Sequence, residues 1–139
     1  MKSIGPAQKA GVVGDPIAHS LSPGLMAAWI EAAGLDALYS PFRVAREDAG
    51  AFFRAMARTD CVGVNVTLPH KQTALTVADQ ASPAARAIGA ANLLTFRDGV
   101  IHADNTDAPG FLSALLARGV NPKRGPALVL GAGGAARAI

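Results

Sequence analysis

Lys71 closes the stretch G-V-N-V-T-L-P-H-K, residues 63–71, at a place where helix electrostatics would not choose a cation. Residues 71–78 read as a helical run with Pro69 tolerated in its first turn, which sets the lysine at the positive end of the helix macrodipole. A cation is disfavoured there, so proton transfer becomes a live role for Lys71 beside the plain one of a solvated lysine. Ser20 and Ser22 of H-S-L-S-P present two hydroxyls on one side of an extended segment, and Ser22 with Pro23 reads as the N-cap and first residue of a helix. Hydroxyls beside free backbone N–H groups suit a small carboxylate, although a cap and a turn residue explain the same pair. Asp107 of D-N-T-D reads as an N-cap, and a carboxylate at a helix start could also orient a lysine brought near it. Gly131-Ala132-Gly133-Gly134-Ala135-Ala136 matches G-x-G-x-x-A, whose backbone N–H groups would cradle a pyrophosphate.

These groups need elements to hold them. Residues 10–14 form a short apolar strand ending in the Asp15-Pro16 turn, and residues 23–33 a helix closed by Gly34. Residues 38–44 are strand-like and residues 47–58 an amphipathic helix with Phe52, Phe53 and Met56 on its apolar side; neither carries recognisable chemistry. Val62, Val64 and Val66 alternate with Gly63, Asn65 and Thr67, giving a strand whose second face is small or polar. Ser82-Pro83 opens a short helix through Ile88, and Gly89 ends it. Residues 92–96 and 100–103 pair as a hairpin around Asp98-Gly99, with Asn92 at its entrance, where an asparagine is often just a turn residue. A helix over residues 108–118 carries Pro109 in its first turn and stops at Gly119. N-P-K-R-G-P, residues 121–126, is the clear linker, and an apolar strand over residues 127–130 runs from it into the glycine-rich turn.

A chain of 139 residues, half of them hydrophobic, is long enough for one ordinary core. No apolar run approaches the roughly 18 residues a membrane span needs, and residues 1–9 lack the apolar stretch of a secretory leader, so a cytoplasmic protein is expected. Cys61 is the only cysteine and its place at the start of an apolar strand predicts a buried, inert thiol; no metal site is read. The net charge of +3 belongs to the C-terminal end: residues 118–139 carry four Lys/Arg and no Asp/Glu, against nine and ten in residues 1–117. Arg118, Lys123, Arg124 and Arg137 could favour a phosphate-bearing ligand, although a solvated linker explains the first three better, and without aromatic interleaving they do not look like a nucleic-acid surface.

Taken in order, the stretches G-D-P (14–16) with H-S-L-S-P (19–23), G-V-N-V-T-L-P-H-K (63–71), I-G-A-A-N (88–92), N-T-D (105–107) and G-A-G-G-A-A-R (131–137) resemble shikimate dehydrogenase. The resemblance covers almost the whole chain. It implies an α/β fold: a three-layer mixed α/β substrate domain over residues 1–120, a linker over 121–126, and over 127–139 the first strand and glycine-rich turn of a Rossmann-type domain that binds NADP. It further implies reversible oxidation of shikimate to 3-dehydroshikimate in the aromatic amino-acid pathway. Ser20 and Ser22 would hold the carboxylate, and Asn65, Thr67, Asn92 and Asp107 the ring hydroxyls. Lys71 would transfer the proton with Asp107 as its partner, and Gly131, Ala132, Gly133, Gly134 and Ala135 would hold the cofactor. The expected partners are small molecules, not nucleic acid or membrane, and a homodimer is left open.

Several positions depart from the family. Met26-Ala27 replaces a usual His-Asn and reads as helix packing, Leu93 replaces a threonine, and Asp104 and Ala108-Pro109 flank N-T-D where glycines are common. These alter pocket shape more than reaction. A dinucleotide domain needs about 150 residues, and the residue that tells NAD from NADP lies roughly 20 beyond the glycines. Neither is present, nor is a glutamine that the family supplies from a last helix, so these 139 residues alone are expected to be inactive. The alternatives are a quinate/shikimate dehydrogenase, from which Ser22 leans away, and a truncated, non-catalytic shikimate-binding module.

Overall fold

β1 (Gln8–Gly14) lies between β2 (Ala37–Arg43) and β3 (Cys61–Val66), parallel to both, because α1 (Ser22–Ala32) and α2 (Ala49–Met56) return the chain to the same edge each time. The direction then reverses. β5 (Leu93–Arg97) runs antiparallel to β3, β6 (Val100–Asp104) antiparallel to β5, and the two-residue β4 (Gln80–Ala81) parallel to β6. The result is one mixed six-stranded sheet of order β2-β1-β3-β5-β6-β4. α3 (Lys71–Val77), α4 (Pro83–Ile88) and α5 (Asp107–Ala117) complete the fold, followed by two single 3-10 turns at Pro122–Arg124 and Ala136–Ala138. This computed structural model describes residues 7–139; positions 1–6 of the stretch read for a leader, and of the expected 1–120 domain, lie outside them.

Strand alternation divides the sheet into two unequal faces. Val13 stands opposite Val66 and Val64 opposite Leu94, and this face is covered by α2, α3 and α4 through Ala49, Phe53, Ala74, Val77 and Ala85. Here is the core. Val12, Asn65 and Leu93 share the other face, where α1 lies, so the layers are helix, sheet and helices as expected. α1 and α5 bury no residue fully and leave Leu25, Trp29, Phe111 and Leu116 exposed. Cys61 lies buried at the start of β3, and burial pushes its thiol up, in keeping with an inert sulfur. Among the described residues no helix is long and apolar enough to cross a membrane.

Local signals set the hairpin and α4 as expected. Asp98 and Gly99 both take left-handed φ, 52° and 78°, as a two-residue hairpin turn requires. The Ser82 hydroxyl accepts from the Ala85 N–H at 3.0 Å, capping α4 at its start.

Four expectations are corrected. Ser22 is not a cap: α1 begins with it, Leu21 holds the cap position without a side-chain bond, and the Ser20 hydroxyl accepts the Ser22 N–H at 3.3 Å in the turn before the helix. Asp107 is the first residue of α5 rather than its cap, and its N–H is taken by the Asn105 side chain at 3.0 Å. Pro69 stands outside α3, with His70 between it and the first helical residue, because the chain must still turn after leaving β3. Residues 127–130 pair with no strand, and Leu128 and Leu130 are 87% and 88% exposed; a parallel strand exists only by pairing, and neither edge strand, β2 nor β4, takes this segment.

Candidate active site

Lys71 is positioned by three contacts that leave its backbone little freedom. Its carbonyl accepts from the Ala91 N–H at 2.8 Å, and the preceding His70 N–H bonds the Thr67 carbonyl at 3.0 Å. The His70 ring is fully buried and donates from Nε2 to the Val44 carbonyl at 2.8 Å, fastening the start of α3 to the segment after β2. Lys71 therefore opens α3, at the dipole end where the sequence placed it. Its ammonium meets Asp107 Oδ2 at 2.6 Å, with side chains only 15% and 30% exposed.

The carboxylate is held as firmly. Asp107 sits in the first turn of α5, the favourable end for an anion, and its Oδ1 accepts from Asn92 Nδ2 at 2.8 Å. Asn92 Oδ1 accepts the Thr106 N–H at 2.8 Å, its own N–H bonds the Asp104 carbonyl at 3.1 Å, and its carbonyl accepts from Val66 at 2.8 Å. One asparagine thus ties the ends of β3 and β6 to the start of α5. Asn105, buried, spans from the Ala90 carbonyl at 3.0 Å to the Asp107 N–H at 3.0 Å and fixes the same turn from beneath. The entrance asparagine and the N-T-D turn are one unit because antiparallel pairing of β5 and β6 brings both ends of the hairpin together.

A cleft of about 300 Å³ opens over this pair on the α1 face of the sheet. Ser22, Asn65, Thr67, Lys71, Asn92 and Asp107 supply its polar lining. Met26 and Trp29 of α1 form an apolar wall, so Met26, read from sequence as helix packing, faces the site. Ser20 does not line the cleft; its hydroxyl serves the turn before α1. Hydroxyls, amides and one cation–carboxylate pair against an apolar wall can orient a small hydroxylated ring and move one proton at Lys71.

Tyr39 was missed. It lies on β2 in a stretch read as carrying no chemistry, yet it lines the cleft and its hydroxyl donates to Asn65 Oδ1 at 2.7 Å. That bond leaves the Asn65 NH2 to face an acceptor. The clue available was that Tyr39 is the only tyrosine, and a half-buried tyrosine needs a partner for its hydroxyl. Burial pushes the phenol up from 10.0 to about 12. Because the folded value is the higher one, the stabilising contribution is whole below pH 10 and is lost as the pH rises towards 12. Urea midpoints measured across that window are expected to fall more steeply for the parent chain than for Tyr39→Phe; parallel curves would refute the assignment.

A second cleft of about 470 Å³ adjoins the first, lined by Arg46, Thr67, Leu68, Pro69, Lys71, Gln72 and Ala132, Gly133, Gly134 and Ala135. Thr67 and Lys71 belong to both. The residues present fit a phosphate-bearing cofactor: the turn offers backbone without bulky side chains, a Cβ at Gly133 would meet nothing within 4 Å, and Arg46 faces it with a positive charge. Gly131 precedes this lining with φ 122°.

Comparison with known proteins shows the family. The shikimate dehydrogenase substrate binding domain family matches residues 12–94. The chain is 57% identical over 139 residues to a shikimate dehydrogenase (NADP(+)) of Maricaulis maris, covering all of this chain and 50% of that one. It is 51% identical to the enzyme of that name from Acidiphilium cryptum, over 97% of this chain and 49% of the relative. Among solved structures, shikimate 5-dehydrogenase from Thermus thermophilus in complex with NADP(H) and shikimate superposes with a TM-score of 0.87 at 45% identity, covering 95% of this chain and 50% of that one. Shikimate dehydrogenase 1 from Peptoclostridium difficile gives 0.90 at 31% identity, over 94% and 48%. The chain spans about half the length of the curated relatives it matches.

Proposed function

The chain belongs to the shikimate dehydrogenase family, and on that premise we propose that it is the substrate half of an enzyme that reversibly oxidises shikimate to 3-dehydroshikimate with NADP, a step towards the aromatic amino acids. The observation that carries this reading is that Lys71, paired with Asp107 at 2.6 Å, lies in the wall shared by the two clefts. A group that takes the proton of a substrate hydroxyl on one side, while the hydride leaves for a redox cofactor on the other, has to stand there.

In this reading Ser22 and the turn before α1, which Ser20 holds, take the carboxylate; Asn65, Thr67, Asn92 and Asp107 take the ring hydroxyls. Tyr39 orients Asn65. In its amine form Lys71 receives the proton of the hydroxyl being oxidised and, in the reverse direction, returns it as an ammonium, while Asp107 keeps Nζ aimed. NADP, when bound, supplies the hydride acceptor for the carbon of that hydroxyl. Ala132, Gly133, Gly134 and Ala135, with Gly131 before them, hold its phosphates beside Arg46, and residues 127–139 open the cofactor-binding unit after the 121–126 linker. The same reading places the reaction in the cytoplasm with small molecules as partners.

A two-dimensional NMR titration of the 139-residue chain with shikimate, with quinate as comparison, tests the substrate. Selective shifts at Ser22, Asn65, Lys71, Asn92 and Asp107, larger for shikimate than for quinate, are expected. A dispersed spectrum in which quinate moves these signals more, or neither acid moves them, would overturn the assignment.

A further inference from the structure

Gly134 is a glycine that the phosphate-binding pattern does not ask for. In G-x-G-x-x-A the required positions are Gly131, Gly133 and Ala136, so Gly134 falls on a position open to other residues. Its backbone does not demand glycine either, since its φ lies outside the left-handed region that Gly131 occupies. The demand comes from across the cleft. A Cβ at Gly134 would stand 3.0 Å from Lys71 Cβ, 3.1 Å from Lys71 Cδ and 3.5 Å from Ala90 Cβ.

None of these neighbours can yield freely. Ala90 is fully buried, and its carbonyl is held by Asn105. Lys71 Cβ follows a backbone tied to Ala91, and Lys71 Cδ leads to an Nζ bound to Asp107 at 2.6 Å. A second contact holds the turn in the same place: with its amide oxygen turned towards Arg137, Gln72 accepts from both terminal guanidinium nitrogens, at 3.2 and 3.3 Å. Gln72 is the residue after Lys71, so the segment carrying Gly134 is fastened to the same first turn of α3 that it lies upon.

We propose that Gly134 is a positioning residue for Lys71: its missing Cβ lets the glycine-rich turn rest on the lysine stem and hold Nζ against Asp107. The inference rests on the proposed role of Lys71 for its catalytic meaning, but the contact stands apart from the identity of the substrate. Displacements of a few tenths of an ångström at a proton-transfer group matter, because about 1 Å of misplacement costs on the order of 10² in rate.

The test compares Gly134→Ala with Gly133→Ala, whose Cβ would meet nothing within 4 Å. In the 139-residue chain, the NMR signal of the Lys71 ε-methylene and the acetylation rate of Lys71, read by mass spectrometry, are measured for each. Gly134→Ala is expected to move the signal and to speed acetylation several-fold, while Gly133→Ala matches the parent. Parent-like values for Gly134→Ala, or equal changes in both variants, would overturn the proposal. Should Gly134→Ala not fold, Arg137→Ala adds no bulk and severs the tie to Gln72; it is expected to speed Lys71 acetylation, and an unchanged rate would count against the idea. Shikimate titrated into the parent separates the two readings. A chain that ignores shikimate while Gly134→Ala still moves Lys71 loses the substrate and keeps the contact.

Discussion

Lys71→Ala is expected to lower the turnover of shikimate by a factor on the order of 10² or more in the enzyme that carries this segment, with a much smaller change in KM. The lysine contributes one contact among several in a cleft lined by Ser22, Asn65, Thr67 and Asn92, so binding keeps most of its partners. Proton transfer loses the amine that stands at the shared wall and keeps only the weaker base Asp107 among the cleft's lining residues. Steady-state kinetics with shikimate varied at saturating NADP read both parameters. An equal loss through KM alone would make Lys71 a binding residue and leave the proton to another group.

Asn105→Ala is expected to destabilise the chain by about 2–4 kcal/mol, because it strips partners from two groups at once and leaves a small void. The Ala90 carbonyl loses its donor and the Asp107 N–H its acceptor, in a place from which the replaced side chain excluded solvent. Urea unfolding at neutral pH measures the loss. The damage reaches the site, since Asp107 is oriented through that N–H, so the Lys71 side-chain signal should move even where the chain remains folded. A loss under about 1 kcal/mol would mean that Asn105 is replaceable by water and does not fix the turn.

Much of this arrangement was legible because its signals are local. Asp98-Gly99 names a hairpin turn by its need for left-handed φ, and Ser82-Pro83 names a helix start by a hydroxyl and a missing N–H. Lys71 was singled out by its place on a helix, and it keeps that place in the structure. What escaped depends on distance through space. Tyr39 looks like any strand residue until β2, β1 and β3 lie side by side and bring it to Asn65. Asp107 falls inside α5 rather than at its cap, and its N–H goes to the amide oxygen of Asn105, whose amide nitrogen reaches the Ala90 carbonyl. Ser20 and Ser22 differ only in where the first turn of α1 begins, a boundary that local sequence places to within a residue or two. Residues 127–130 have the composition of a strand, but a strand exists only by pairing, and composition does not provide the partner.

Thr67 and Lys71 line both clefts, and this gives the two occupants a common boundary. Ligands that share a wall cannot have independent affinities once either one shifts it. Thermodynamic reciprocity then applies: whatever factor an occupant of the smaller cleft imposes on the affinity of the larger, the larger returns in full. Where a ligand in either cleft displaces Lys71, the two affinities are linked, and order of addition changes the route and never the total.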